Sequence, residues 1–393
     1  MSPAYDVIVV GARCAGASTA LLLARQGRRV LLVDRAAVGS DTMSTLYIRP
    51  SGVAFLAHWG VLDAVVSSGC PPLDTIEYDV GEVRIAGATP RAPGADAAYA
   101  PRRGVLDRLL VQAAQQAGAE VMDRTSIREL LRSGDRVTGV RVDGGDLTAR
   151  LVVGADGMRS AVAEMVGAPA VVSDPLASCV YFTSWSGLRT GFGFHERPGS
   201  WIARIPTHDD VTIVSTYFPQ QEFAQIRRDP LAAHLDAIRR HAPELYDQVA
   251  DTVPTDRIRG TGDQRNFYRQ AAGPGWVLVG DAGHHVDSIT ASGITSAFLQ
   301  ADLLATELAG IDLDDHGTTD AATARFGSQR DRATSSTYRS TLDLARLSLH
   351  PARIDLLRTV ANSPRATQRY FAMVLGILDA AEFFDDPELL DLL

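Results

Sequence analysis

The chain has 393 residues, of which 46% are hydrophobic and 22% charged, and its formal net charge is -9 at pH 7. This composition is typical of a globular protein of one or two domains with a large core. The negative charge, and the lack of basic runs interleaved with aromatic residues, argue against nucleic acid or anionic lipid as a partner. With no apolar run of membrane-spanning length and no export signal, we expect a cytoplasmic protein without stable membrane association.

The cysteine and lysine content limits the kinds of site and reaction mechanism that the chain can have. The three cysteines, Cys14, Cys70 and Cys179, are scattered. Their spacing fits neither a disulfide framework nor a metal site, so we expect a reducing compartment and no bound metal. All 38 basic residues are arginine. Mechanisms that need a lysine amine, such as a Schiff base, are therefore excluded.

A nucleotide-binding unit is predicted at the N-terminus. Residues 5–10 are predicted as a strand, residues 17–26 as a helix and residues 29–33 as a second strand. The turn before the helix consists of Gly11, Ala12, Arg13, Cys14, Ala15 and Gly16. In such units, amides at the helix N-terminus bind a diphosphate, and the acid after the second strand binds ribose hydroxyls. Asp34 takes that place here, with Arg35 beside it.

This turn departs from the usual G-x-G-x-x-G pattern at its second glycine, where the chain has Arg13. The Arg13 guanidinium either contacts the diphosphate or points to solvent, and both alternatives stay open. Cys14 has no second cysteine nearby, so we interpret it as a small packing residue.

Short elements follow up to residue 174. The pattern predicts helices over 49–60 and 102–117, a hairpin over 71–86 with Gly81 at its turn, a loop over 90–101, and strands over 120–122, 126–132, 136–142 and 146–153. We interpret the last strands as a meander inserted in the nucleotide-binding fold. Arg159 and Ser160 then open another helix.

The second half of the chain begins with a separate lobe of strands, over 179–186, 189–194, 200–205 and 211–217, with helices between 220 and 240. A buried strand over 276–279 and a helix over 294–308 return to the first lobe. We therefore predict an α/β fold: a discontinuous Rossmann-like domain (1–174 and 269–310), an inserted β-sheet substrate domain (175–268) and a helical C-terminal region (311–393).

Three glycine–acid motifs occur in one order: the turn at 11–16, Asp156-Gly157 and Gly280-Asp281. On these motifs the chain resembles the class A FAD-dependent monooxygenases of the p-hydroxybenzoate hydroxylase fold, which are related to geranylgeranyl reductases and flavin-dependent halogenases. The resemblance covers about residues 4–310 and implies noncovalently bound FAD. No nicotinamide-binding domain follows, so NAD(P)H would be a transient co-substrate.

The resemblance also implies roles for the residues after the third motif. Asp281 meets the ribityl or diphosphate portion of FAD, and Gly280 keeps the backbone close to it. Backbone amides near Ser292, Gly293 and Ile294 can stabilise negative charge on the reduced flavin. The preceding loop departs from the family, which has a proline and a G-x-G where this chain has residues 287–293.

Further FAD contacts are implied outside the third motif. Arg103 corresponds to an arginine that meets FAD, and Arg49 resembles another near the diphosphate or flavin, although either could be a surface arginine. Asp156 either ties the nucleotide lobe to the linker, affecting FAD and nicotinamide handling, or is purely structural. Ile127 contributes backbone contacts near the adenine.

The implied activity is NAD(P)H- and O2-dependent hydroxylation of an aromatic or polyketide-like small molecule in secondary metabolism. The alternatives are reduction of a prenyl double bond, or flavin binding without turnover. The segment from Trp201 to Pro206 resembles the W-x-W-x-I-P segment of the halogenases, but it lacks the second tryptophan, and those enzymes use a lysine that this chain lacks. Monomer and homodimer both stay open.

Residues that could face the substrate come from the strand lobe and from the loop 282–293, which resembles the family segment that passes the flavin ring and is called the flavin loop below. We predict a pocket that includes Tyr181, Trp201 and Tyr217, although such aromatic residues also form ordinary cores. His284 and His285 could relay protons or deprotonate a phenol near the isoalloxazine. The alternative for each histidine is a hydrogen bond to the backbone.

Overall fold

The computed structural model describes residues 4–40 and 42–392, so the predicted outer limits at residues 1 and 393 lie outside the described residues. The elements of the first 174 residues are β1 (Tyr5–Val10), α1 (Cys14–Arg25), β2 (Val30–Val33), α2 (Pro50–His58), α3 (Leu62–Ser67), β3 (Pro72–Leu73), β4 (Thr75–Asp79), β5 (Arg84–Ala88), β6 (Ala98–Tyr99), α4 (Arg103–Gln116), β7 (Glu120–Met122), β8 (Ile127–Ser133), β9 (Arg136–Val142), β10 (Gly145–Gly154), α5 (Ala161–Met165) and β11 (Ala170–Asp174).

The elements between residues 175 and 310 are β12 (Ser178–Ser186), β13 (Gly193–Arg197), β14 (Ser200–Thr207), β15 (Val211–Pro219), α6 (Phe223–Ile226), α7 (Pro230–His241), α8 (Pro243–Val249), β16 (Arg259–Thr261), β17 (Asn266–Arg269), β18 (Ala272–Gly273), β19 (Trp276–Leu278), β20 (His284–His285) and α9 (Gly293–Leu308). The C-terminal helices are α10 (His316–Ala345), α11 (Pro351–Ala361), α12 (Pro364–Val374), α13 (Ala380–Phe384) and α14 (Pro387–Leu392).

The nucleotide-binding unit forms an eight-stranded sheet with the order β18-β19-β10-β1-β2-β7, to which β9 and β8 are attached through β10. β1 runs parallel to β2 and β10, and β10 runs parallel to β19. Residues 7–10, 30–33, 151–154 and 276–278 of these strands are apolar or glycine and buried, because helices α1, α4 and α9 cover one face and the meander covers the other. The carboxyl ends of β1, β2 and β19 therefore meet at one edge, where the predicted motifs lie.

A second sheet of seven strands has the order β16-β12-β15-β14-β13-β4-β5. The hairpin β4–β5, with Gly81 at φ +90° in its turn, joins this sheet through parallel pairing with β13. The inserted sheet thus takes two strands from the segment predicted as the first domain, and the division at residue 175 stays a prediction. The strand predicted over 189–194 was misplaced, because the ladder with β14 begins only at Gly193.

The two faces of the seven-stranded sheet have different covers. On the inner face, apolar side chains pack against α11, α12 and the flavin-loop residues 289–291. On the outer face, they pack against α6, α7 and α8. A small three-stranded sheet has the order β11-β17-β20. Its strand β11 was not predicted.

Two differences between the predicted and observed helix boundaries have an identifiable cause. α1 begins at Cys14, three residues earlier than predicted, because the turn residues after Arg13 already take helical hydrogen bonds. The sequence also predicts an acidic loop over 311–320, but α10 begins at His316, because the Asp315 carboxylate caps it by accepting from the backbone N–H of Thr318. Within the part of the chain that the structure describes, no helix is both long enough and apolar enough to cross a membrane.

Candidate functional site

Glycines bring three strands and a helix together at the N-terminal turn. Gly11 has φ +104°, and a Cβ there would lie 2.4 Å from the carbonyl oxygen of Ala155. A Cβ on Gly16 would lie 1.7 Å from the carbonyl oxygen of Gly11. α1 has no side-chain cap at Arg13 and no acidic residue in its first turn. Its first N–H groups are therefore available to a phosphate, as the sequence predicts.

Asp34 braces this turn. One of its carboxylate oxygens accepts from the backbone N–H of Ala12 at 2.6 Å, and the other accepts from that of Ala36 at 2.7 Å. Each oxygen keeps a lone pair, so ribose hydroxyls could still donate to the carboxylate. Arg13 donates to the hydroxyl of Thr42 rather than pointing freely to solvent. Arg35 is exposed.

Gly280 and Asp281 follow β19 at the same edge. Gly280 has φ +64°, and a Cβ there would lie 2.7 Å from the Cβ of Ala15. Its backbone N–H donates to Oε1 of Gln300 at 2.8 Å. The close approach places the adjacent Asp281 beside the start of α1.

Arg103 lies at the start of α4 and pairs with the buried Asp107, with its Nη2 3.0 and 3.1 Å from the two carboxylate oxygens. Burial lowers the pKa of Arg103, but its hydrogen bonds and the charges of Asp107 and Asp281 raise that pKa overall. Cys14 contacts the same carboxylate, with its Sγ 3.4 Å from Oδ1 of Asp107. The structure thus brings Cys14, Arg103 and Asp281 together, with Cys14 in the packing role expected of it.

Asp156 takes up a structural position. Its Oδ2 accepts from the backbone N–H groups of Ala161 and Val162 at 2.7 and 3.2 Å, so it caps α5. Burial raises the pKa of Asp156. Ile127 lies further along, on β8, and the N–H of Thr125 just before it donates to the carbonyl oxygen of Asp34 at 2.8 Å. These contacts favour the structural alternative for Asp156 and bring the chain before Ile127 next to the predicted ribose site.

A buried arginine, Arg49 at the start of α2, contacts the flavin loop. Nη2 of Arg49 donates to the carbonyl oxygen of Thr290 at 2.7 Å, whereas its buried Nε has no hydrogen-bond partner among the described residues. Burial lowers the pKa of Arg49. An unpaired buried guanidinium nitrogen fits a site in which a ligand oxygen accepts from it. Arg49 is therefore not the surface arginine of the alternative interpretation.

The end of the loop has the geometry of an oxyanion site. Ala291 takes φ +48°, a left-handed conformation that the family's glycines adopt more easily. α9 then begins at Gly293, after Ser292, with no side-chain cap and no acidic residue in its first turn. The free amides of Gly293 and Ile294 can therefore face negative charge. Across these features, the chain has the residues that an FAD molecule would need.

The two histidines have different surroundings. The buried His284 packs against the rings of Tyr268 and Tyr338, at 4.4 and 5.8 Å between ring centroids. Burial, followed by the charge of Arg330, lowers the pKa of His284 to about 3, so it stays neutral near neutral pH. His285 contacts the carbonyl oxygen of Arg265 through Nδ1, as in its backbone-bonded alternative. A catalytic role for either histidine stays a prediction.

A cavity lies between the inner face of the seven-stranded sheet and the flavin loop. Its walls are mainly aromatic and aliphatic, formed by Thr45, Tyr47, Phe192, Phe194, Ala203, Ile205, Ser215, Tyr217, Ile289 and Ala291. Trp201 is on the same face, against Tyr78 and Phe194. Tyr181 instead packs against Phe223 on the outer face of the sheet. Side chains alternate between the two faces along a strand, so not every residue of β12 can face the cavity. The structure therefore groups Trp201 and Tyr217 but separates Tyr181 from them.

A polar cluster beside this cavity was missed by the sequence analysis. The buried Asp287 accepts from Ser178 at 2.7 Å and from Gln264 at 3.2 Å. Burial raises the pKa of Asp287 to about 6. The available signal was an acid within the segment 287–293, where the family has a proline and a G-x-G. No group of three or more potential metal ligands is found among the described residues.

Several known proteins are similar to this chain over most of its length. 6-Methylpretetramide 4-monooxygenase of Streptomyces rimosus is 27% identical over 311 residues, 75% of this chain and 73% of that protein. Digeranylgeranylglycerophospholipid reductase of Methanocella arvoryzae is 27% identical over 318 residues, 76% of this chain and 75% of that protein. The structure of the myxobacterial chondrochloren halogenase CndH shares the fold, with a TM-score of 0.77 at 22% identity, covering 99% of this chain and 95% of that one.

The family assignment rests on a longer match than any single motif. The model of the FAD binding domain matches residues 4–318, which include the turn at Gly11, Asp156-Gly157 and Gly280-Asp281. The predicted α/β fold and the FAD cofactor are confirmed by this match. The chain therefore belongs to the FAD binding domain family.

Proposed function

We propose that the protein is an FAD-dependent monooxygenase that hydroxylates an aromatic or polyketide-like small molecule, with NAD(P)H as the electron donor. In the balanced reaction, the substrate C–H, O2, NAD(P)H and a proton give the hydroxylated substrate, water and NAD(P)+. Bound FAD supplies the two-electron chemistry that activates oxygen. The chain must bind FAD, orient the acceptor and exclude water.

The observation that carries the proposal is the aromatic cavity beside the flavin loop. Tyr47 and Phe192 stack there with ring centroids 4.4 Å apart, and Phe194 lies edge-on to Phe192 at 4.9 Å. Such walls would present aromatic faces and edges to a flat ligand, although the cavity, at about 10 Å³, must open to admit one. Ile289 and Ala291 of the flavin loop complete the wall, so a ligand there would lie next to the flavin.

The C-terminal helices α11 and α12 pack against the same face of the sheet, beside this cavity. Arg353 of α11 donates to the buried Glu196 of β13 at 3.0 Å, and its guanidinium lies 5.9 Å from the ring centroid of Tyr78. Tyr370 of α12 stacks on the same Tyr78 ring. A dry site protects reactive species from side reactions with water.

The main alternative is reduction of a prenyl double bond, which the similarity to a prenyl-lipid reductase keeps in view. A prenyl chain needs a long apolar tunnel, but the cavity of about 10 Å³ that Phe192, Phe194 and Tyr217 line must open for either kind of substrate, so it does not separate the two reactions. Halogenation that requires a lysine is excluded by the sequence, which has none.

The deciding experiment uses 18O-labelled oxygen. The FAD-loaded protein is mixed with NADH or NADPH and a panel of phenols and polyketide-type aromatics, and products are analysed by mass spectrometry. We expect one labelled oxygen atom in the product and faster NAD(P)H oxidation when the substrate is present. Saturation of a prenyl chain under anaerobic conditions, with no labelled product from the panel, would establish the reductase instead.

A further inference from the structure

A buried glutamine on α9 connects two parts of the FAD site. Gln300 is fully buried, whereas the other buried residues of this helix are apolar. Its Oε1 accepts from the backbone N–H of Gly280 at 2.8 Å, and its Nε2 donates to the hydroxyl oxygen of Ser296 at 3.0 Å. Burying an amide is unfavourable unless it is hydrogen-bonded. An apolar side chain of the same length would avoid that cost, so the amide at this position indicates a need for its two bonds.

The direction of both bonds is fixed by Gly280. A backbone N–H can only donate, so the amide oxygen of Gln300, and not its nitrogen, faces Gly280. The amide nitrogen then faces Ser296, and it can only donate to the hydroxyl oxygen there. No described residue accepts a hydrogen bond from the Ser296 hydroxyl. The proton of that hydroxyl is therefore available to a ligand.

The first contact holds the turn at Gly280 between α1 and α9. A Cβ on Gly280 would lie 2.7 Å from the Cβ of Ala15 and 3.9 Å from the Cβ of Ala297. The residue is buried and has φ +64°, and its N–H donates to Gln300. Loss of this acceptor would leave a buried N–H unpaired at the point where the chain turns toward Asp281, which costs free energy unless the turn moves.

The second contact lies at the N-terminal end of α9. Ser296 follows Gly293 by three residues, and its backbone N–H donates to the carbonyl oxygen of Ser292 at 2.8 Å. Its side chain is only half-buried. Side chains on a helix tilt toward the N-terminus of that helix. The Ser296 hydroxyl therefore lies on the side of the free amides of Gly293 and Ile294, which are predicted to face the flavin.

We propose that Gln300 is a positioning residue of the FAD site and that Ser296 donates a hydrogen bond to the flavin-bearing half of FAD. Gln300 holds the Gly280 turn in place and, by donating to Ser296, leaves the Ser296 proton free for the cofactor. The two bonds fix α9 relative to Asp281, so the groups that the ribityl chain and the isoalloxazine would meet are in place before FAD binds. The inference concerns cofactor binding and does not depend on which reaction the bound FAD carries out.

The test compares FAD with ADP, which has the adenine, ribose and diphosphate but lacks the ribityl chain and the isoalloxazine. The full chain is freed of FAD, and Kd for each ligand is obtained by calorimetry. Gln300→Met keeps the side-chain length and removes both bonds, so we expect FAD to bind at least about tenfold more weakly while Kd for ADP is unchanged. Gln26→Met is the matched control, since Gln26 donates to the carbonyl oxygen of Ala305 at 2.8 Å, at the other end of α9. It should change neither Kd.

A second variant separates the two contacts. Ser296→Ala removes the hydroxyl and leaves the bond to Gly280, and we expect it to weaken FAD binding about fivefold. In combination with Gln300→Met it should add less than about a twofold loss, because Gln300 acts partly through Ser296. Equal weakening of FAD and ADP in Gln300→Met would mean a purely structural role and overturns the inference, as does unchanged FAD binding in either single variant or a fully additive loss in the double variant. Because neither NAD(P)H nor a substrate is present, these results are independent of whether the 18O experiment succeeds.

Discussion

Substitution of Gly280 by alanine tests the close approach on which the FAD site depends. The new Cβ would lie 2.7 Å from the Cβ of Ala15, and the residue would keep φ +64°. The left-handed conformation costs about 1–2 kcal/mol for a residue with a Cβ, and the added methyl costs about 1–3 kcal/mol more if the start of α1 must move. Gly60 offers a matched control, because it has φ +67° with nothing within 4 Å of a Cβ.

We expect Gly280→Ala to lower the free energy of unfolding by about 1–3 kcal/mol more than Gly60→Ala. Urea unfolding of the two apoproteins, followed by tryptophan fluorescence, measures this difference. Titration with FAD should also show weaker binding in Gly280→Ala alone, since the displaced amides of α1 belong to the predicted diphosphate site. Equal losses in the two variants would refute the packing argument, and unchanged FAD affinity would separate Gly280 from the cofactor site.

Three further predictions concern the side chains of Asp281, of Asp287 and of the three cysteines. Asp281→Ala should weaken FAD binding at least about tenfold in an equilibrium titration, because charge-assisted hydrogen bonds of roughly 1.5–3 kcal/mol are lost; an unchanged Kd removes Asp281 from the site. The pKa of Asp287 is raised by burial to about 6, so the folded protein holds this proton more tightly than the unfolded chain. Its contribution to stability should therefore fall by about 3 kcal/mol as pH rises from about 4 to above 6, and urea unfolding of Asp287→Asn should lack that fall. Cys14, Cys70 and Cys179 are buried with raised pKa values, so a thiol reagent should modify them only after denaturation. Rapid modification of the native protein would contradict their burial.

The local parts of the fold could be predicted from the sequence, and the long-range pairings could not. The strand, turn and helix around Gly11 and Gly16 lie in one short segment, where hydrophobic periodicity and glycine spacing carry the information. The hairpin with Gly81 was also predicted as a hairpin. Its pairing with β13 was not, because periodicity does not specify which distant strand becomes a neighbour.

The candidate site likewise contains residues that could be predicted from the sequence and residues that could not. Asp34, Arg103 and Asp281 were predicted from motifs, and they lie around the start of α1. Gln300 belongs to no motif and meets Gly280 only in the folded chain. Sequence reasoning had no signal for Gln300, since a lone glutamine has no spacing pattern that indicates chemistry.

The residues predicted to bind FAD and those at the inner face of the seven-stranded sheet should also determine different properties of the protein. A monooxygenase and a prenyl-lipid reductase are both similar to this chain over about three quarters of its length, so the glycine contacts that the family shares cannot by themselves decide the reaction. We expect that choice to depend on the residues where a substrate would meet the flavin, which we propose is at the inner face of the seven-stranded sheet. Substitutions at Gly280 or Asp281 should therefore change FAD affinity without changing which acceptor is preferred. Substitutions at Phe192 or Phe194 should change the preferred acceptor while FAD stays bound.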